Sequence, residues 1–413
     1  MFDRLSYITW YHATFGTNKK AAKALAHYGG FEELYEVVNN DADTEGLLSG
    51  FSAERLKHYS IFDAGEINEV CKDMGGEIIS FESPYYPGQL KKISNAPYVI
   101  FCHGDKEVLR ENLFVSVVGS RDATDEALAV SYGASYNMAK SGAVIVSGAA
   151  LGVDTAAHKG AIAAGGATVG VLGCGLGSEY MWRIGDFYNE VLKNGVYITE
   201  MLPFVNPSRY SFPERNRIIS GMSNAVLVTY AGAKSGSLIT ADLARKQKRR
   251  VYAMSPDVCA SDGCRNLIAA DSYVFYNAGD IIYPFSQLCR KTPDECYCNK
   301  PVKSEGLTAA DYALVLDGEK EESPVSTKKK PAGNKPAKKQ EPQPKEEKKE
   351  AELPAYLSDD ARKVYQSLKC VKTDVDSLVP LTGLPISNIL AAVSELEIFG
   401  FVKSLPGKMV EKA

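Results

Sequence analysis

Short apolar runs alternate with longer amphipathic segments in the central part of the chain, from about residue 112 to residue 285. The runs are rich in Val, Ile and Leu, and in chain order they are LFVSVVG, AVIVSG, ATVGVLG and AVLVTYAG. Such runs, alternating with helical segments, predict a parallel β-sheet with helices on both faces. The predicted fold class of this region is therefore α/β, with a Rossmann-like, mostly parallel sheet as its core.

The pattern of polar and apolar positions changes on either side of the sheet region. Helical periodicity over 1–72 predicts a small helical N-terminal domain of the SAM or helix-hairpin-helix kind. Short strands and a Pro-rich turn lead into the predicted Rossmann-like domain, which we bound at 73–290. Lys, Glu and Pro dominate after 317 and predict a flexible charged linker, placed at 291–352. Helical segments and a hairpin pattern over 353–413 predict a C-terminal winged-helix domain.

The composition narrows the class of protein. With 413 residues and 45% hydrophobic content, the chain is long enough for two or three domains with cores of their own. It shows neither an apolar run of about 18 residues nor a secretion signal, so we expect a cytoplasmic protein without membrane contact. Nine cysteines, an odd number, favour reduced thiols, and their spacing matches no standard zinc motif. We expect neither a metal nor another cofactor.

The strand ends carry candidate binding residues, because unpaired amides and helix dipoles converge there in parallel sheets. The loops after the first and fourth apolar runs offer amides, hydroxyls and positive charge to a phosphate. Their candidate residues are Gly119, Ser120, Arg121, Lys234, Ser235, Gly236 and Ser237. The sequence contains neither a complete GxGxxG fingerprint nor a GxxxxGK[ST] phosphate loop. The loop SGAALGVD carries Asp154, whose charge would repel a phosphate, so this loop is predicted to be architectural.

The segment NPSRYSFPERNRIISG, upstream of the fourth run, interleaves arginines with aromatic residues. This combination is typical of single-stranded nucleic-acid binding, in which guanidinium groups meet phosphates and rings stack on bases. The additional candidates are Arg209, Phe212, Arg215 and Asn216. The alternative role for these arginines is a buried ion-pair network, for which Arg217 is the best candidate.

Several motifs follow one another in the order and spacing of a known family, namely VVGSR, SGAALGVDTAAHKGAI, FPERNRIISGMSNAVLVTYAGAKSGSLITADLA, RVYAMSP and GCRNLI. On these residues the chain resembles the DNA processing protein A family, also called DprA or Smf, over roughly 80–285. The resemblance implies that a homodimer without enzyme activity binds and protects incoming single-stranded DNA in natural transformation and loads the RecA recombinase onto it. It also implies that Arg121 contacts the DNA backbone and that FPERNR and KSGS line the same pocket. The sequence departs from the family pattern at Asp257 and Arg265.

Two other functions compete with this interpretation. Rossmann-like phosphoribohydrolases process nucleotides with a PGGxGTxxE loop, whereas the comparable AGAKSGSLITADLA lacks the glutamate and offers only Asp242. Such a nucleotide-processing enzyme is the alternative to a DNA-binding protein. A transcription regulator would place the winged helix on duplex DNA, but the predicted recognition helix, 386–399, offers mainly Asn388 and acidic residues. Contact with protein is at least as well supported there as contact with DNA.

Overall fold

The computed structural model describes two compact units, one within residues 1–323 and the other within 324–413. The described ranges are 2–179, 181, 186–208, 210–290, 292–300, 358–368, 373–398, 402–405 and 409–412. None of the helices in these ranges combines the length and the apolar character that a bilayer crossing requires.

A nine-stranded sheet forms the core of the first unit. Its strands are β1 (Glu77–Ser80), β2 (Val99–Gly104), β3 (Phe114–Gly119), β4 (Val144–Ser147), β5 (Thr168–Val171), β6 (Gly195–Thr199), β7 (Ala225–Tyr230), β8 (Arg250–Met254) and β9 (Tyr273–Phe275). They lie in the order β1-β2-β6-β5-β4-β3-β7-β8-β9. All neighbours from β6 to β9 are parallel, whereas β2 runs antiparallel to both β1 and β6. The predicted α/β class with a mostly parallel sheet is confirmed.

The N-terminal residues form a small bundle of helices, as predicted. Its members are α1 (Arg4–Phe15), α2 (Lys19–Tyr28), α3 (Phe31–Asn39), α4 (Ala53–Leu56) and α5 (Ile61–Asp73). Local sequence fixes their starts, since Asn18 caps α2 and a reciprocal capping box of Ser60 and Asp63 begins α5. Trp10 of α1 belongs to the same buried cluster as Phe101 of β2 and Tyr197 of β6. The bundle therefore shares a hydrophobic core with one side of the sheet.

Helices that connect the parallel strands, together with two short helices after the last strand, cover both faces of the sheet. They are α6 (Asp125–Lys140), α7 (Val153–Ala163), α8 (Asp186–Asn194), α9 (Ser211–Met222), α10 (Gly236–Lys246), α11 (Asp262–Ala269), α12 (Gly279–Ile282) and α13 (Glu295–Cys298). The α6, α7 and α8 helices pack side by side, and α9 packs against α10. Right-handed crossovers place these two groups on opposite faces, because the chain winds in opposite directions through them. The buried Cys298 Sγ donates to Ser141 Oγ at 3.4 Å, so the folded unit continues through residue 300.

The direction of winding reverses at β3. From this strand the chain proceeds through β4, β5 and β6 on one side, and then returns to β7, β8 and β9 on the other. The strands β3 and β7 are consequently neighbours, with Val115 opposite Ala225. A reversal of this kind opens a crevice between the loops at the carboxyl ends of the two strands, where doubly wound sheets bind ligands.

The second unit has the winged-helix arrangement. It contains α14 (Asp359–Ser367), α15 (Leu378–Thr382) and α16 (Ile386–Ile398), with β10 (Thr373–Asp374), β11 (Val402–Leu405) and β12 (Met409–Lys412). The strands form an antiparallel sheet in the order β10-β12-β11. Leu378, Ile389 and Leu396 are buried in a core that belongs to this unit alone. The predicted winged-helix domain is confirmed, and the predicted linker from 301 onward lies outside the described residues.

Candidate nucleic-acid interface

The loops after β3 and β7 meet at the reversal point, as the strand order requires. Ser120 N donates to Tyr230 O at 2.9 Å, and Val153 N donates to Ser120 O at 3.2 Å. A Cβ on Gly119 would lie 2.6 Å from Val153 Cγ2 and 2.8 Å from Tyr230 O, so only glycine fits between them. Gly119 and Ser120 thus hold the loop that presents the exposed side chain of Arg121.

Two of the predicted residues contact each other at this loop. The guanidinium carbon of Arg121 lies 5.2 Å from the ring centre of Phe212, within the range of a cation–π interaction. The half-buried Phe212 ring packs in turn on the loop after β5, where its Cδ1 lies 3.1 Å from the point that a Cβ on Gly173 would occupy. A cation and an aromatic face therefore stand side by side at the carboxyl edge of the sheet.

The Ser-Gly-Ser turn, Ser235 to Ser237, begins α10. Ser235 is the N-cap residue, and its Oγ accepts from Ser237 N at 3.4 Å and lies 2.8 Å from Ser237 Oγ. Lys234 and Gly236 are exposed, and the first turn of the helix contains no acidic residue. An uncompensated helix N-terminus with a neighbouring lysine attracts negative charge.

Arg215 occupies a position that differs from the prediction of a direct phosphate contact. Its side chain is only 4% exposed. Nη1 donates to Gly148 O at 2.6 Å and to Val171 O, which are the carbonyl groups just after β4 and at the end of β5. The guanidinium group therefore points into the protein and joins two strand ends. The prediction that Arg215 contacts a phosphate at the surface is corrected: its contacts are internal.

Asp154 faces Arg215 across the same loop. Its Oδ2 accepts from Gly148 N at 3.1 Å and from Ala150 N at 3.4 Å. A Cβ on Gly148 would lie 2.5 Å from Asp154 Oδ2 and 2.8 Å from both terminal nitrogens of Arg215. Burial raises the pKa of Asp154, and the charge of Arg215 and these hydrogen bonds oppose that rise. The loop SGAALGVD thus has an internal, structural network, in keeping with the architectural role predicted for it.

The remaining residues of the FPERNR segment are placed as follows. Arg217 Nη2 donates to Glu200 Oε2 in a nearly buried ion pair, which is the role predicted as its alternative. The backbone carbonyl of the half-buried Asn216 accepts from Ser220 Oγ at 3.1 Å. Arg209 lies outside the described residues.

The two departures from the family pattern lie on the β8 side of the reversal point. Asp257 is exposed in the loop after β8, where its N–H donates to Ser255 Oγ at 3.2 Å. Arg265 lies on α11, 3.6 Å from Asp262. Asp257 consequently adds negative charge one strand away from the loop that holds Lys234.

Exposed apolar side chains at this edge add residues that the sequence pattern does not single out. Leu151 follows β4 and Phe204 follows β6, and each is more than 60% exposed. Phe204 belongs to no basic or glycine-rich motif, and Leu151 lies in the loop SGAALGVD, for which the sequence predicts only an architectural role. Tyr210, which the sequence does interleave with the arginines, is similarly exposed.

The groups that an enzyme would require are placed unfavourably for catalysis. Asp242 lies inside α10 and pairs with Arg245 at 3.8 Å, instead of facing the strand end. His158 is fully buried, and its Nδ1 lies 2.7 Å from Thr168 Oγ1. Burial, with a smaller contribution from the charge of Arg215, lowers the pKa of His158 to about 3. Burial therefore favours a structural role for His158, and Asp242 is an exposed residue of the helix surface.

Among the described side chains of α15 and α16, the exposed ones are mainly apolar. Asn388, the polar residue on which duplex recognition would depend, donates from Nδ2 to Asp360 Oδ2 of α14 at 3.0 Å. Leu381, Ile386 and Leu390 are exposed on α15 and α16. Such a surface favours contact with protein over recognition of base edges in a groove.

The fold and the site define the class of protein: a Rossmann-like α/β protein with a cationic and aromatic cluster at its carboxyl edge, joined to a winged-helix domain. Residues 77–286 match the family model of the DNA recombination-mediator protein A. Residues 342–408 match the model of the DprA winged helix domain. The chain belongs to the DNA recombination-mediator protein A family, also named DprA or Smf, which confirms the resemblance seen in the sequence motifs.

Individual relatives agree with this assignment. The Protein Smf of Synechocystis sp. is 30% identical over 341 residues, which cover 81% of this chain and 80% of the relative. The DNA processing protein DprA of Streptococcus pneumoniae is 35% identical over 271 residues, which cover 65% of this chain and 94% of the relative. The X-ray structure of DprA from Streptococcus pneumoniae matches with a TM-score of 0.57 and 26% identity, over 68% of this chain and 98% of that chain.

Proposed function

We propose that the protein binds single-stranded DNA without sequence preference at the carboxyl edge of the central sheet. The contact between Arg121 and Phe212, beside the N-terminus of α10, carries this proposal. It offers a positive charge for a phosphate and a ring for a base within one small area. Membership of a family of DNA recombination mediators supports DNA as the ligand.

Membership of the same family supports a wider role. We propose that the protein acts in the cytoplasm as a homodimer, protects single-stranded DNA during natural transformation and recombination, and loads the RecA recombinase onto it. The winged-helix domain, with its exposed apolar helices, is better suited to a protein partner than to duplex DNA. We propose no catalytic step, because Asp242 pairs with Arg245 on the surface of its own helix and His158 is buried against Thr168.

Arg121→Ala is expected to weaken binding of a fluorescently labelled oligo-dT by about tenfold, since a charge-assisted contact to phosphate is lost. Affinity of the wild type should fall steeply with added salt, because bound phosphates release counterions. Fluorescence anisotropy across a salt series, with duplex DNA as competitor, measures both effects. Lys246→Ala is the matched control, because this exposed lysine lies in the last turn of α10, roughly 15 Å from its N-terminus. Equal losses in the two variants, or no binding by the wild type, would contradict the proposal.

Two substitutions of Ser235 separate the stability of α10 from its attraction for phosphate. Ser235→Ala should lower the free energy of unfolding by about 1 kcal/mol, because the N-cap is lost. Ser235→Asp should keep the cap and the stability, since aspartate is an equally good N-cap residue, but should weaken oligo-dT binding through charge repulsion. Chemical denaturation and anisotropy give the two values. Unchanged binding by Ser235→Asp would exclude this helix end from the DNA contact.

A further inference from the structure

Three exposed apolar side chains surround the loop ends on the β6 side of the reversal point. Leu151, Phe204 and Tyr210 are 63%, 64% and 62% exposed, respectively. We call these three residues the apolar shelf. Large apolar side chains that stay in water next to a ligand site indicate a surface that is covered when the ligand binds.

The loop that carries Phe204 is fixed against the loop after β5. Gly175 N donates to Val205 O and Gly177 N donates to Pro203 O, both at 2.8 Å. Phe204 Cε1 lies 2.9 Å from the Cβ position of Gly177. The ring is therefore held on top of the β5 loop while most of its surface faces solvent.

The apolar shelf continues into the Arg121–Phe212 contact. Tyr210 lies two residues before Phe212, whose ring packs on Gly173 of the same β5 loop. On the other side, Gly152 brings the β4 loop against the backbone of Arg121, with its Cβ position 2.4 Å from Arg121 O. Leu151, the residue before Gly152, thus lies in the loop that touches Arg121.

The carboxyl edge of the sheet is consequently divided into two halves. The loops after β6 and β4 present the apolar shelf, with the β5 loop packed between them, and the loops after β3 and β7 present Arg121, Lys234 and the amides of α10. At about 4.8 Å between neighbouring strands, roughly 14 Å separates β6 from β3. A single-stranded nucleic acid has the same division, because its phosphates are charged and its bases have apolar faces.

We propose that the apolar shelf is a base-stacking subsite, on which bases of single-stranded DNA lie while the backbone contacts the β3 and β7 loops. This inference rests on the proposed function and adds Leu151, Phe204 and Tyr210 to the site. Stacking on rings accepts any base, since every base has a π face, and so fits binding without sequence preference. Continuity with the cationic half favours nucleic acid over a protein as the occupant.

The test compares oligo-dT with an abasic oligonucleotide of equal length, which has the same backbone without bases. The wild type should bind oligo-dT more tightly than the abasic strand. The double variant Phe204→Ala/Tyr210→Ala should lose about tenfold in affinity for oligo-dT and retain its affinity for the abasic strand. Phe204→Tyr/Tyr210→Phe keeps both rings and should bind oligo-dT like the wild type.

Phe62→Ala is the control for loss of an exposed ring. Phe62 is 70% exposed at the start of α5. It lies roughly 18 Å along the helix direction from Met74, whose side chain contacts Gly177 of the β5 loop beneath Phe204. This variant should bind both oligonucleotides like the wild type. Wild-type oligo-dT binding by the double alanine variant, or equal losses on both oligonucleotides, would overturn the stacking subsite while leaving the proposed function intact. A wild type that binds neither oligonucleotide would overturn the proposed function, and the subsite with it.

Discussion

Arg215→Ala is expected to lower the free energy of unfolding by roughly 3–5 kcal/mol, the range seen when one partner of a buried charge pair is removed. The substitution leaves the carbonyl groups of Gly148 and Val171 without the donor that joins them. It also leaves the buried carboxyl group of Asp154 without the nearby positive charge. Both losses occur inside the protein, where water does not compensate for them.

The difference in free energy of unfolding between the wild type and Arg215→Ala should become smaller as the pH is lowered. Burial raises the pKa of Asp154, and removal of Arg215 takes away a charge that opposes this rise. An acid whose pKa is higher in the folded state than in the unfolded state destabilises the fold at high pH, and this cost disappears as it is protonated. His158 stays neutral in this range, since burial lowers its pKa to about 3. We therefore expect a larger difference from the wild type at pH 8 than at pH 5.

Urea denaturation at the two pH values measures both effects. Arg265→Ala is the matched control, because Arg265 is an exposed arginine whose loss should change stability by less than about 1 kcal/mol. Arg215→Met/Asp154→Leu, which removes both charges, should recover part of the lost stability. A deficit of Arg215→Ala equal to that of Arg265→Ala would show that the inward position of Arg215 is not the populated one.

Gly152→Ala is the second change with a large expected effect. Gly152 has φ +80°, where an L-residue is strained, and its Cβ would lie 2.4 Å from Arg121 O and 2.5 Å from Ser120 O. The backbone conformation alone should cost roughly 1–3 kcal/mol of stability. Relief of the contact requires the β3 loop to move, which displaces Arg121, so binding of oligo-dT should fall as well.

Gly165→Ala separates the effect of backbone strain from the effect of the close contact with the β3 loop. Gly165 follows α7 with φ +65° and has no atom within 4 Å of its Cβ position, so its substitution carries the conformational strain without the close contact. Denaturation should show a smaller loss of stability than for Gly152→Ala, and anisotropy should show unchanged affinity for oligo-dT. If both variants bind oligo-dT equally well, the β3 loop does not depend on Gly152 for its position.

Much of this fold could be predicted because its signals are local. The Val-rich runs became central strands, since only a strand covered on both faces is apolar throughout. The Ser-Gly-Ser turn begins a helix because the side-chain oxygen of Ser235 can accept from a free backbone amide. The position of Arg121 at a strand end followed from the parallel sheet, whereas its neighbourhood with the FPERNR segment, which holds Phe212, was implied only by the resemblance to the family.

The position of Arg215 could not be predicted, because it depends on residues far away in the sequence. Arg215 and Arg217 lie two positions apart on α9 and point in different directions, so only one of them is expected inside when a helix has one covered face. Here α9 is covered by the sheet and also by the short 3₁₀ turn Leu90–Lys92. Both arginines are therefore buried, each with a separate set of acceptors. Exposure of Phe204 is likewise set by a contact between distant loops.

The reversal of winding at β3 also determines when this strand gains each of its two neighbours during synthesis. β3 gains one neighbour when β4 is made, about 30 residues later, but its other neighbour, β7, arrives only after the ribosome has passed Tyr230. At about 5–20 residues per second, the interval between Val115 and its partner Ala225 lasts roughly 5–20 s. During that time β3 has an open hydrogen-bonding edge, which a nascent chain must protect from pairing with other polypeptides. The pair of loops after β3 and β7, between which Arg121 lies, is thus completed late in translation. Chaperones that cover unpaired strands have their longest opportunity to act at β3.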